Sequence, residues 1–170
     1  MRRRQFSTNE KRWRTLRSVA LEIERRFLVD VARLPDSVRA DGVRLEQGYL
    51  GFEPTVRIRC SGERGWLTVK GPGSISRAEF EYEIPRDDAD ALLRLCKARL
   101  RKIRRKVPVG GGVWDVDEFL ETLDGLWLAE IELATPESSF ERPDWLGREV
   151  TDDRRYSNAS LARHGRPDPM

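Results

Sequence analysis

The stretch RAEFEYEI, residues 77–84, puts Arg77, Glu79, Glu81 and Glu83 on one side of an extended chain and Ala78, Phe80, Tyr82 and Ile84 on the other, because successive strand side chains point to opposite faces. The same period of two recurs in six further segments. Glu22, Glu24 and Arg26 share a row in EIERRFLV, Arg57 and Arg59 in VRIRC, and Trp66, Thr68 and Lys70 in WLTVK. Lys102, Arg104 and Lys106 do so in RKIRRK, Asp115 and Asp117 in WDVDEF, and Glu130 and Glu132 in LAEIEL. A solvated outer face accounts for any one such strand. It accounts poorly for all of them together, since outer faces mix Thr, Ser, Gln and Lys whereas these rows are nearly pure in sign. Like charges two residues apart on one face lie ~7 Å from each other and repel. Opposite charge must relieve them, on a facing strand or in a ligand.

The alternating segments delimit strands at about 21–29, 45–52, 55–60, 65–70, 77–84, 101–108, 112–119 and 126–134, punctuated by CSGERG, GPGS and VGGG. RDDADALLRLCKARL reads as a helix from Arg86 to about Leu100, acidic in its first turn and basic in its last. A shorter helix is expected in PDSVRAD, and PDWLGREVTDDRRYSNASLAR reads as a turn or short helix followed by a helix from about Asn158. These elements give an α+β, mainly β domain, a closed eight-stranded antiparallel β-barrel with a few flanking helices. Such a barrel has room for a small ligand. With the charged rows turned inward, its acidic strands can hold cations and its basic strands anions. The outward apolar rows then need cover, from helices over part of the surface and from a second copy, as a homodimer, over the rest.

The chain is expected to form one domain over 21–170. Residues 1–20, crowded with Arg and Lys against the single Glu10, read as a flexible basic extension. Charged residues make up 36% of the chain, against roughly 25% in ordinary globular proteins, yet 32 basic residues are nearly balanced by 29 acidic ones. That balance argues against nucleic acid as the partner. Cys60, Cys96 and the single His164 have no zinc-site spacing. No secretory signal and no apolar run near the ~20 residues of a membrane span is present, so a cytoplasmic protein is expected. A bound metal would therefore be held by oxygen, which suits Mg²⁺ or Mn²⁺, ions that commonly accompany phosphates.

At this point the residues resemble the CYTH, or triphosphate tunnel metalloenzyme, family. EIERRFLV is similar to the family's ExExK signature, with Arg26 where lysine is usual. The likeness continues in order through QGYL (47–50), VRIR (56–59), LTVKG (67–71), EFEYEI (79–84), KIRR (102–105), WDVDEF (114–119), LAEIEL (128–133) and WLGREVTDDRRYSNASLA (145–162). The resemblance implies a charged eight-stranded tunnel and metal-dependent hydrolysis of a triphosphate, here most simply inorganic tripolyphosphate. A class IV-type adenylate cyclase or a thiamine triphosphatase would share the phosphate machinery, and a non-catalytic binder of polyphosphate or nucleic-acid ends is the rival of another class. It implies Glu22, Glu24, Asp117, Glu130 and Glu132 as carboxylates for Mg²⁺ or Mn²⁺. Arg26, Arg57, Arg59, Lys70, Lys102, Arg104 and Arg155 would grip phosphate, and Tyr49, Arg26 and Lys70 would be catalytic. Glu79 and Glu81 fall on the acidic strand after Lys70, with either as a metal contact. Tyr49 matches a proposed proton acceptor, although an unperturbed tyrosine, with a pKa near ~10, is a poor base at neutral pH, and a carboxylate is an equal candidate. Trp66, Trp114 and Trp127 are expected to pack within the sheet rather than stack on bases.

Overall fold

A computed structural model describes residues 20–72 and 76–168, with the side chains of residues 20–22, 76 and 77 excluded. The expected basic extension, apart from Ala20, lies outside the described residues. All eight expected strands form: β1 (Ala20–Val29), β2 (Val43–Phe52), β3 (Thr55–Ser61), β4 (Arg64–Lys70), β5 (Ser76–Ile84), β6 (Ala98–Val109), β7 (Gly112–Phe119) and β8 (Trp127–Glu132). A ninth, β9 (Leu146–Glu149), joins them, so the sheet is nine-stranded and the expectation of a closed eight-stranded barrel is corrected. Four residues with no alternating apolar pattern gave no strand signal; β9 exists because it pairs with the outer half of β1, Phe27 opposite Glu149 and Val29 opposite Leu146.

Hydrogen-bonded neighbours run β5-β4-β3-β2-β6-β7-β8-β1-β9, and the ladders are antiparallel. β1 is shared between partners. Ala20–Ile23 pair with Ser76–Glu79 of β5, while Glu24–Leu28 pair with Leu128–Glu132 of β8. Tight hairpins fix the register. Val109 faces Gly112 across Gly110 and Gly111, whose φ values of 58° and 81° are those a two-residue hairpin loop demands of both central residues.

Among the described residues three α-helices flank the sheet, α1 (Asp36–Arg39), α2 (Arg86–Leu95) and α3 (Asn158–His164). α2 buries Ala89 and Leu93 against Ile58, Cys60 and Cys96 on the outer side of β3 and its neighbours. A methyl group on Gly65 of β4 would come within 2.5 Å of the Ala89 Cβ, which is how closely the helix lies on the strand. The helix ends five residues before its expected limit. Cys96 turns extended at φ −73°, ψ 128°, and Ala98 and Leu100 pair with Tyr49 and Gln47 of β2, so sheet pairing overrides the helical propensity of this segment.

The two faces of the strands are packed differently. On the outside, Ile23, Phe27, Trp114, Val116, Ala129 and Ile131 form a core completed by Leu133 and Trp145. Phe27 and Trp114 are fully buried, each worth about 1.5–3 kcal/mol of apolar burial. On the inside, Leu100, Phe119 and Leu128 from the ends of β6, β7 and β8 join Tyr156 and Leu161 of the C-terminal segment in a second core. Phe80 and Tyr82 on the outer face of β5 remain exposed. None of the described helices is long and apolar enough to cross a membrane.

Candidate active site

Between these cores the inner rows carry the charge, and strand register sets which signs meet. Arg26 stands directly opposite Glu130, Glu24 opposite Glu132, Arg104 opposite Asp117, Asp115 opposite Glu130, Lys70 opposite Glu79 and Thr68 opposite Glu81. The basic members of these rows are thus met by carboxylates on the neighbouring strands, whereas Glu24 with Glu132 and Asp115 with Glu130 set carboxylate opposite carboxylate.

One network spans β1, β6, β7 and β8. Arg26, only 6% exposed, donates from Nη2 to Glu24 Oε1 at 2.5 Å and from Nε to Glu130 Oε1 at 2.6 Å. Arg104 makes a two-pronged contact with Asp117, Nε to Oδ1 at 2.7 Å and Nη2 to Oδ2 at 2.6 Å. It also reaches Asp115 Oδ2 at 2.6 Å and Glu130 Oε2 at 3.0 Å. Lys102 Nζ donates to Asp117 Oδ2 at 2.6 Å and to Asn158 Oδ1 of α3 at 3.1 Å. Burial tends to raise the pKa of Glu130, but Arg26, Lys102 and Arg104 outweigh it and hold this carboxyl far below its ordinary value. Burial, reinforced by Arg104, pushes the Lys102 ammonium down to about 8 against the pull of Asp117 and Glu130.

A second network spans β3, β4 and β5. Arg59 Nη2 donates to both oxygens of Glu81 at 3.0 and 3.1 Å, Arg57 Nη2 donates to Glu81 Oε2 at 3.2 Å, and Thr68 Oγ1 donates to the same oxygen at 2.9 Å. Lys70 Nζ lies 3.0 Å from Glu79 Oε2. The buried Nε atoms of Arg57 and Arg59 have no hydrogen-bond partner. Both are N–H donors, so the pair retains unused capacity for an anion. Arg59 lies 4.9 Å from the Trp66 ring, as does Arg64. Trp66 therefore braces two guanidinium groups, while Trp114 packs as expected.

Tyr49 is buried beneath both networks and receives a hydrogen bond from Gln47 Nε2 at 2.8 Å. Burial raises its hydroxyl to about 12, which Arg57, Gln47 and Arg26 only partly offset. The hydroxyl therefore keeps its proton at neutral pH and is equipped to donate it in a hydrogen bond.

Of the residues singled out in the sequence, Glu24, Arg26, Tyr49, Arg57, Arg59, Lys70, Lys102, Arg104, Asp117 and Glu130 are joined by these contacts or by the strand register. Glu132 faces Glu24 at the end of β8 and is exposed. Glu22 lies opposite Arg77 on β1, its side chain outside the described residues. Arg155 is not brought in. It is exposed, and its guanidinium closes on Asp153 at 2.9 and 2.7 Å. Gln47 and Asn158 join the site without having been singled out, and Thr68, sorted onto the charged face of its strand, had no role assigned. Gln47 is a polar member of an inward row and is reachable from the same period of two, whereas Asn158 enters only because the chain returns to β6.

Among the described residues no three carboxylates are gathered as a ready metal cage. The donor set is nevertheless all oxygen, with Glu24 and Glu132 face to face. It suits a hard cation held by one or two carboxylates with phosphate oxygens completing its shell.

The CYTH domain model matches residues 20–165. The chain is 45% identical over 150 residues to an inorganic triphosphatase of Acetivibrio thermocellus, covering 84% of this chain and 94% of that protein. It is 37% identical over 150 residues to an inorganic triphosphatase of Nitrosomonas europaea, covering 83% and 96%. A crystal structure of an inorganic triphosphatase superposes with a TM-score of 0.60 at 32% identity, over 83% of this chain and 93% of that one. A conserved hypothetical protein from Pyrococcus furiosus shares the fold at a TM-score of 0.51 and 18% identity, over 68% and 80%. With its strands, its inner charge rows and the match over 20–165 all in agreement, the chain belongs to the CYTH domain family.

Proposed function

We propose that this protein is a metal-dependent hydrolase of inorganic tripolyphosphate, acting within the charged interior of its sheet. The observation that carries the reading is the pairing of basic and acidic inner rows strand by strand, with two buried guanidinium Nε atoms still unpaired. The names of the two relatives support the substrate. The sharing of β1 between β5 and β8 supports a wall that continues round the substrate as a tunnel.

Arg57, Arg59 and Lys70 would bind the phosphate to be released, the planar guanidinium groups matching pairs of phosphate oxygens and the lysine acting as a point charge. Arg26, Arg104 and Lys102 would hold the rest of the chain of phosphates from the opposite wall. Arg26 keeps its charge at all working pH values and offers two directed donors where the family has a lysine. Tyr49 would donate its retained proton to a phosphate oxygen and so orient it for in-line attack by water. Glu24 and Glu132, with Glu22, Glu130 and Asp117, would hold Mg²⁺ or Mn²⁺, and the bound cation supplies neutralisation of the charge that builds on the leaving diphosphate.

The test is phosphate release from tripolyphosphate, thiamine triphosphate and ATP, each with Mg²⁺, Mn²⁺ or EDTA. Turnover fastest on tripolyphosphate and lost in EDTA is expected. No metal-dependent turnover of any of the three overturns the reading.

A further inference from the structure

Glu81 differs from the other inner carboxylates in how it is held. It accepts from Arg57, Arg59 and Thr68, in contacts of 2.9 to 3.2 Å, yet its side chain is 34% exposed, against 1% for Asp117 and 10% for Glu130. Glu81 thus takes the carboxylate hydrogen bonds of two guanidinium groups whose Nε atoms find no partner, with Glu79 standing further off at 3.7 Å from Arg57. Burial, and after it the neighbouring Arg57, lowers the pKa of Arg59 against the pull of Glu81 and Glu79. An incoming phosphate group offers more charge and more acceptor oxygens than a carboxylate does. Glu81 can yield to it at little cost, because a side chain already one-third exposed regains water on turning away, whereas Asp117 would have to give up Lys102 and Arg104 together.

We propose that Glu81 is a resident counter-anion of the Arg57–Arg59 pair, displaced by a phosphate group of the substrate and returning when the product leaves. It is then a positioning residue that sets affinity and selects for highly charged anions, because a weakly charged one cannot displace it. The proposal rests on the reading of Arg57 and Arg59 as phosphate ligands, and it assigns Glu81 to the anion side of the site rather than to the metal.

The experiment is calorimetric titration of tripolyphosphate into the intact protein in EDTA, comparing wild type with Glu81→Gln, Glu81→Ala and the control Glu83→Gln. Glu83 lies two residues along the same strand and pairs with the exposed Arg64, so its loss removes the same charge without freeing Arg57 or Arg59. Both Glu81 variants are expected to bind about tenfold more tightly, as for a site whose competent form is about one-tenth populated in the wild type, while Glu83→Gln binds as wild type does. Orthophosphate should inhibit turnover more strongly in the Glu81 variants by a similar factor. Equal or weaker binding in both Glu81 variants, with melting temperatures at the wild-type value, overturns the proposal, as does equal tightening in Glu83→Gln. Failure of the wild type to hydrolyse any triphosphate is a separate result and overturns the functional reading instead.

Discussion

On the β6–β8 side of the interior, Lys102 and Arg104 close on an Asp117 carboxylate that is 1% exposed, whereas on the β3–β5 side Arg57 and Arg59 rest on a Glu81 carboxylate that is 34% exposed. Both walls hold similar residue types at the same strand period. The first has its charges fully matched at short range, so its groups are desolvated on folding and depend on each other. In the second, Glu81 is partly wet and the Nε atoms of Arg57 and Arg59 are unpaired, so donors remain for a ligand. The charged rows read alike along the sequence, but in one wall the cations are bound tightly to buried carboxylates and in the other two guanidinium groups keep donors to spare.

The largest effect that would break this distinction concerns stability. Arg104→Ala removes partners of Asp117, Glu130 and Asp115 at once and should cost about 3–5 kcal/mol, because it leaves buried carboxylates uncompensated. Arg59→Ala should cost about 1 kcal/mol, since the freed Glu81 can hydrate. Urea unfolding of both variants reads the difference, and equal losses would mean that the two walls are energetically the same.

Turnover should show the reverse contrast in its cleanest form at Lys70. Lys70→Ala removes a single point charge facing Glu79 and should slow tripolyphosphate hydrolysis by at least about 100-fold, the scale on which loss of one directed donor to a reacting oxyanion acts. The loss of stability should be smaller than in Arg104→Ala. Steady-state kinetics with a parallel melt separates the two, and a Lys70→Ala enzyme with substantial activity would remove Lys70 from the site.

Acid should weaken the fold through its depressed carboxylates. Glu130 has a folded pKa held below its unfolded value, and Glu149, hydrogen-bonded by Arg25, shifts in the same direction. Such groups contribute stability that is fully present above the ordinary carboxylate range and is lost as pH falls through it toward the folded value. The urea midpoint should therefore decline from about pH 5 downward. The decline should be shallower in Glu130→Gln, which has no such proton to take up; an unchanged slope would show that Glu130 is not linked to folding.

The period of two made most of this legible. It located eight strands and sorted Glu24, Arg26, Arg57, Arg59, Lys70, Arg104 and Glu130 onto one face, because alternation is a local property that sheet pairing preserves. What it could not supply was the partner of each charge, which depends on register between distant strands: nothing in the sequence shows that Arg26 meets Glu130 or that Glu81 meets Arg59. It also could not show β9, whose few residues are a strand because β1 runs on beyond β5 along that edge. The helix at Arg86 was overrun for a related reason, since the residues that continue its helical pattern are claimed by pairing with β2.

Arg155 marks the limit of carrying a motif onto a structure, and it gives the smallest expected effect. It sits in the right sequence motif, but its guanidinium is spent on Asp153 within the same turn, outside both walls. Arg155→Ala should therefore change stability by no more than about 0.5 kcal/mol and leave the KM for tripolyphosphate unaltered, whereas Arg57→Ala should raise that KM at least about tenfold by removing a directed phosphate donor. A matching rise in KM for Arg155→Ala would mean that the C-terminal turn swings inward when substrate binds. The interior would then draw on a third source of cations, and the contrast between its two walls would describe only the empty enzyme.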